Sequence, residues 1–124
     1  MLGTSNMHSY KELIVWQKSY NLCLDIYSVS KLFPKEELFG ITSQIRRASL
    51  SIPSNIAEGN ARGSRKEYIH FLRIAFASAA EVETQLMLCK DLSLIKEKDY
   101  ITISLLLTEV MKMLNSLIKK LSVN

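Results

Sequence analysis

Between Tyr68 and Cys89 the residues Tyr68, Leu72, Ala75, Ala79, Val82, Leu86 and Cys89 follow one another at intervals of four and three without a break. A strand alternates every two residues, so only an α-helix gathers this set on one face, and a face this long needs a core to cover it. Three further stretches supply one. Leu13, Trp16, Tyr20, Leu24 and Tyr27 recur at helical spacing between about residues 10 and 31. Ile41, Ile45, Ala48, Ile52 and Ile56 do so from Glu36 or Glu37 onward, and Ile103, Leu106, Val110, Met113, Leu117 and Leu121 do so over about 96–121. With only four Gly and two Pro in 124 residues, the chain lacks the turns that a sandwich or barrel requires.

The punctuation agrees with four helices. Phe33-Pro34 ends the first, because the residue before proline is pushed out of the helical region. The second pattern keeps its spacing through Pro53, which predicts a kinked helix, with Ser51, Ser54 and Asn55 offering side-chain partners to the freed backbone. Gly59-Asn60-Ala61-Arg62-Gly63 reads as a turn with a glycine stop at each end, and Ser64-Arg65-Lys66-Glu67 as a capping box opening the third helix. Ser93 sits in a short connection, and Lys119 and Lys120 complement the C-terminal dipole of the fourth helix. The expectation is an all-α, antiparallel up-down-up-down four-helix bundle with a Pro-kinked second helix, spanning 10–122 behind a flexible tail at 1–9.

Candidate chemistry is sparse. Glu67-x-x-His70 is half of a di-metal carboxylate pattern, but the other histidine, His8, has no Glu three residues before it. Cys23 and Cys89 lack CxxC spacing and read as reduced core thiols. No phosphate-cradling GxxxxGK[ST] and no nucleophile signature occurs, and Glu81 and Glu83, two apart, do not share a helix face. The expectation is no metal, no cofactor and no enzyme activity. Uncharged stretches of about ten residues fall short of the roughly 18 that a membrane span needs, and the first ten residues have no leader pattern. A cytoplasmic protein with no membrane partner is expected.

Charge is concentrated in the middle. Residues 1–45 and 74–124 are each neutral, whereas 46–73 carries Arg46, Arg47, Arg62, Arg65, Lys66 and Arg73 against Glu58 and Glu67, a net +4. All five arginines of the chain lie there, and arginine grips phosphate and carboxylate in a fork. One reading is a set of intramolecular ion pairs, with Arg47 expected to meet Glu83 across the second and third helices. The other is an anionic ligand, above all a nucleic-acid backbone. Three stretches, Ala48–Ala57, Ile74–Ala80 and Tyr100–Thr108, are uncharged over two turns or more. They are explained either by tight packing around the kink or by self-association, with Ala77, Ala80, Ile101 and Leu105 as the expected oligomer interface.

The motifs Val15-Trp16-Gln17-Lys18, Phe33-Pro34, Phe39-Gly40-Ile41, Gln44-Ile45-Arg46-Arg47-Ala48, Ser51-Ile52-Pro53-Ser54-Asn55-Ile56-Ala57-Glu58-Gly59, Ser64-Arg65-Lys66-Glu67 and Glu81-Val82-Glu83-Thr84-Gln85-Leu86 run through nearly the whole chain. Together they resemble the bacterial four-helix-bundle family of 23S rRNA intervening-sequence proteins. A relative of that family, the accessory variability protein of diversity-generating retroelements, is a basic pentamer that binds nucleic acid and a reverse transcriptase. The resemblance implies a ring-like homopentamer without enzyme activity. The chain departs from the family pattern at Ala77, where glycine is common, and at Leu92-Ser93-Leu94, which replaces a Leu-Gly-Tyr turn.

The functional expectation is a non-catalytic homo-oligomer that binds structured RNA or other nucleic acid through phosphates. Arg62, Arg65 and Lys66 are its leading contacts, joined by Arg46, Arg47 and Arg73. The alternative is a protein-interaction scaffold whose basic patch docks an acidic partner such as a polymerase.

Overall fold

A computed structural model describes residues 9–123, so all but Ser9 of the expected tail lies outside the described residues. Four helices account for most of the chain: α1 (Ile14–Ser30), α2 (Ser43–Ala61), α3 (Arg65–Asp91) and α4 (Glu97–Ser122). A 3-10 turn at Tyr10–Glu12 leads into α1, and no strand occurs among the described residues. The helices form a closed ring in which α1 packs on α2 and α4, and α3 packs on α2 and α4. Arg46 meets Ser30 while Ser49 meets Cys23, and Ser51 meets Ser78 while Gly59 meets Phe71. Partners thus move in opposite directions along neighbouring helices.

The core lies inside the ring. From α3 it takes the predicted set, with Leu72, Ala75, Ala79, Val82, Leu86 and Cys89 buried and only Tyr68 partly exposed. From α2 it takes Ile45, Ala48, Ile52 and Ile56, as the spacing predicts, with Ile41 half-buried beside them.

Helix α1 corrects the sequence reading. Its buried residues are Val15, Ser19, Leu22, Cys23, Ile26 and Ser30, one residue, or about 100°, round from the expected aromatic stripe. The core face was concealed by its two serines. Each hydroxyl donates to a carbonyl of its own helix, Ser19 to Trp16 at 3.0 Å and Ser30 to Tyr27 at 3.2 Å, so burying them leaves no donor unpaired. Tyr20, Leu24 and Tyr27 stay exposed instead. In α4 the buried set is Ile103, Leu107, Val110, Leu114 and Ile118; the expected Leu106, Met113, Leu117 and Leu121 flank it half-buried. By length and composition α4 would also suffice to cross a membrane, but that buried stripe faces the bundle core.

Two boundaries also differ. The second helix does not run from Glu36: a 3-10 turn at Lys35–Glu37 and a wide π turn at Leu38–Thr42 precede α2, with Gly40 at φ −109°, ψ −116° breaking the helical path. Gly59 is no turn residue. It is buried within α2, which continues to Ala61, and a Cβ there would lie 2.6 Å from the Cβ of Phe71. Glycine is needed for the close approach of α2 to α3. The turn itself rests on Gly63, whose φ of +86° is open to glycine alone at low cost.

Candidate nucleic-acid interface

The basic end of the bundle is built where α2 hands over to α3. Gly63 reverses the chain, and the Ser64 hydroxyl accepts from the Glu67 amide at 3.1 Å, starting α3 with the predicted cap. Arg62, in the turn, reaches across both helix ends. One guanidinium nitrogen is 2.7 Å from Glu58 on α2 and another 3.4 Å from Glu67 on α3, while the group lies 4.8 Å over the Phe71 ring. The hydrogen bond to Glu58 first, and the attraction of both carboxylates after it, raise the pKa of Arg62 above its ordinary value. Its fork is engaged by the protein's own acids, so Arg62, one of the three leading candidates from sequence, also clamps the turn.

Arg65, Lys66 and Arg73 have a different setting. They line one open depression of about 510 Å³ together with Ile69 of α3 and Leu121 and Ser122 of α4. Lys119 and Lys120 occupy the last turn of α4 and are not among its lining. Lys66 and Arg73 are seven residues apart, two helical turns, and so share one face of α3.

The remaining two cations lie elsewhere. Arg46 and Arg62 are separated by roughly 24 Å along α2 at 1.5 Å per residue. Arg46 donates from Nε to the Ser30 hydroxyl at 2.7 Å and lies 4.9 Å over the Tyr27 ring. Arg47 is exposed, as is Glu83, and the two form no ion pair among the described residues. The six cations that sequence groups into one window are thus divided: three around a depression, one clamped beside it, two near the other end of the bundle.

The expected interface residues differ in exposure. Ile101 and Leu105 point outward, 48% and 68% exposed, and Ala77 is exposed. Ala80 is half-buried, and its neighbour Ser78 hydrogen-bonds Ser51 at 2.8 Å inside the α2–α3 contact. Packing within the bundle therefore accounts for most of Ala48–Ala57 and for part of Ile74–Ala80, and leaves Leu50 and the outer α4 residues uncovered. The sequence reading missed a second apolar surface. Tyr20 and Leu24 of α1 and Leu50 of α2 are each about half exposed, with Tyr27 nearby under Arg46. The assignment of the aromatic stripe to the core hid it.

No group of three or more His, Cys, Asp or Glu side chains that could hold a metal occurs among the described residues. His70 is exposed, with its ring against Phe71. Burial raises the thiol pKa of Cys89 to about 11 and raises that of Cys23, where the Ser49 hydroxyl partly offsets it. Both are protonated packing groups at neutral pH.

With the geometry in place, the comparisons with known proteins decide the family. The model of the 23S rRNA-intervening sequence protein family matches residues 11–116. The chain belongs to that family. Among solved structures it is similar to a protein of unknown function from the S23 ribosomal protein family of Bacteroides thetaiotaomicron VPI-5482, with 34% identity and a TM-score of 0.79. That likeness covers 86% of this chain and 99% of the other. A search of curated proteins gave no match.

Proposed function

We propose that this member of the 23S rRNA-intervening sequence family is a non-catalytic, self-associating module, a homopentamer, that binds structured RNA or other nucleic acid through backbone phosphates. The observation that carries the reading is the depression shared by Arg65, Lys66 and Arg73 at one end of the bundle. Each subunit of a ring repeats it, and multiplied phosphate contacts raise affinity without base recognition. Arg46, Arg47 and Arg62 are secondary in this reading, Arg62 because its fork is taken.

Fluorescence anisotropy with a structured RNA and a matched DNA duplex across a salt series tests it. Affinity falls steeply with salt, with a log–log slope of about −0.9 per duplex-DNA phosphate contacted. Lys66→Glu with Arg73→Glu abolishes binding, whereas Arg62→Gln weakens it only modestly. Unchanged affinity in the double variant refutes the assignment.

The protein-scaffold reading is favoured by a separate observation, the half-exposed Tyr20, Leu24 and Leu50 beside Arg46. It predicts a complex with an acidic protein that survives nuclease treatment and is lost in Leu24→Asp.

A further inference from the structure

The opposite end of the bundle holds a smaller and better-formed recess. Where α1 ends and α2 begins, Ser30, Lys31, Phe33, Pro34, Lys35, Leu38, Thr42 and Arg46 enclose about 130 Å³. Three of those residues are cations and none is acidic; Glu36 and Glu37, on the adjoining turn, are not among the lining. Arg46 is fixed there from two sides, by its Nε hydrogen bond to Ser30 and by the Tyr27 ring beneath it. Ser30 is itself buried and anchored on the Tyr27 carbonyl, so the support is rigid. The Nε bond leaves the two terminal nitrogens of the fork as donors.

Thr42 supplies the second, independent sign. It is 2% exposed, and its hydroxyl has no hydrogen-bond partner among the described residues. A helical threonine ordinarily donates back to the carbonyl one turn earlier, but here the preceding turn is the wide one interrupted at Gly40. An orphaned buried hydroxyl is costly, and proteins retain one chiefly where something else satisfies it.

We infer that this recess is a binding site for a single tetrahedral phosphate group, held by Arg46, Lys31 and Lys35 with the Thr42 hydroxyl as a neutral donor. Three positive charges match a phosphate dianion, and the recess has room for one such group. The source is either free inorganic phosphate or the monoester of a nucleotide. The site lies at the far end of α2 from the Arg65–Arg73 depression and does not depend on the function proposed for that end.

The test is calorimetric titration of the full chain with inorganic phosphate and, separately, with a nucleoside 5′-monophosphate, the unphosphorylated nucleoside serving as control. One saturable site per chain is expected, with no binding of the nucleoside. Lys31→Glu with Lys35→Glu, both exposed, weakens phosphate at least tenfold without loss of helicity. Thr42→Val weakens it about fivefold while raising the Tm of the phosphate-free protein, because an isosteric methyl removes the orphan hydroxyl. A tighter monophosphate than phosphate assigns the site to an ester, and equal affinities assign it to the free ion. Absence of a saturable site, or affinity unchanged in the lysine pair, overturns the inference. So does a Thr42→Val protein that binds phosphate as well as the parent.

Discussion

Replacing Gly59 by alanine sets two effects against each other, and the structure says which wins. In a helix interior alanine is more favourable than glycine by about 1 kcal/mol, so propensity alone predicts stabilisation. The added Cβ, however, would stand 2.6 Å from the Phe71 Cβ, 3.2 Å from a Tyr68 ring carbon and 3.3 Å from the Tyr68 carbonyl oxygen. Two of those three atoms belong to the α3 backbone or are bonded directly to it, so no rotamer change relieves them. The helices must separate, at a cost of about 1–3 kcal/mol for overpacking and further loss where the Ser51–Ser78 contact on the same seam loosens. The net expectation is a loss of about 1–2 kcal/mol, or a Tm lower by roughly 3–10 °C for a chain of this size. Urea unfolding followed by circular dichroism measures it, with the m-value checked for constancy. A Gly59→Ala protein more stable than the parent would refute the claim that close helix approach, and not a turn, is what this glycine serves.

Four further outcomes are expected. Ser93 has a φ of 60°, left-handed for a non-glycine residue, so Ser93→Gly stabilises the protein by about 1 kcal/mol, read from the same urea curves. Cys89 binds its proton more tightly folded, with a pKa of about 11, than at its ordinary value of 9.0, so stability is full below pH 9. It then falls as pH rises toward 11, by about 1.4 kcal/mol per unit at most; Cys89→Ala flattens that limb in a pH series of denaturation curves. Leu105→Glu, at a residue 68% exposed, leaves the unfolding midpoint of the isolated subunit nearly unchanged and lowers the solution mass measured by light scattering if α4 forms the oligomer contact. Ala77→Arg does the same if the contact includes the outer face of α3; a mass unaltered by both variants counts against an interface on either face.

The bundle was legible because helices α2 and α3 present an uninterrupted apolar spacing and because Ser64 and Gly63 punctuate them. The orientation of α1 was not. Its core face includes Ser19 and Ser30, which are polar in sequence and harmless in place because each bonds its own helix. Aromatic residues at helical spacing outweighed them, although tyrosine tolerates a surface with its hydroxyl in water. The candidate site was legible as a charge window but not as a shape. Arg62 and Lys66 are four residues apart, yet one pairs with Glu58 and Glu67 while the other lines a depression with α4. Partners supplied by a distant helix, such as Leu121 and Ser122, leave no mark on local spacing. The recess around Thr42 holds a buried hydroxyl without a partner at the end of a widened turn, a backbone event that residue types do not announce.

The ring is sealed by its least extensive contact, that between α1 and α4, which are also the two helices farthest apart along the chain. The α2–α3 contact, by contrast, is the most extensive and joins consecutive helices through a three-residue turn. Closing a short loop costs less entropy than joining the chain's two extremes, so the α2–α3 hairpin is the natural nucleus and the α1–α4 seam the last to form. Among the described residues a cross-helix ion pair spans the seam, Lys18 with Glu109 at 3.1 Å, and being partly solvated it adds little to hold it. Transient opening of the folded protein therefore begins at that seam, and amide hydrogens of α1 and α4 exchange with solvent well before those of the hairpin that carries the basic turn.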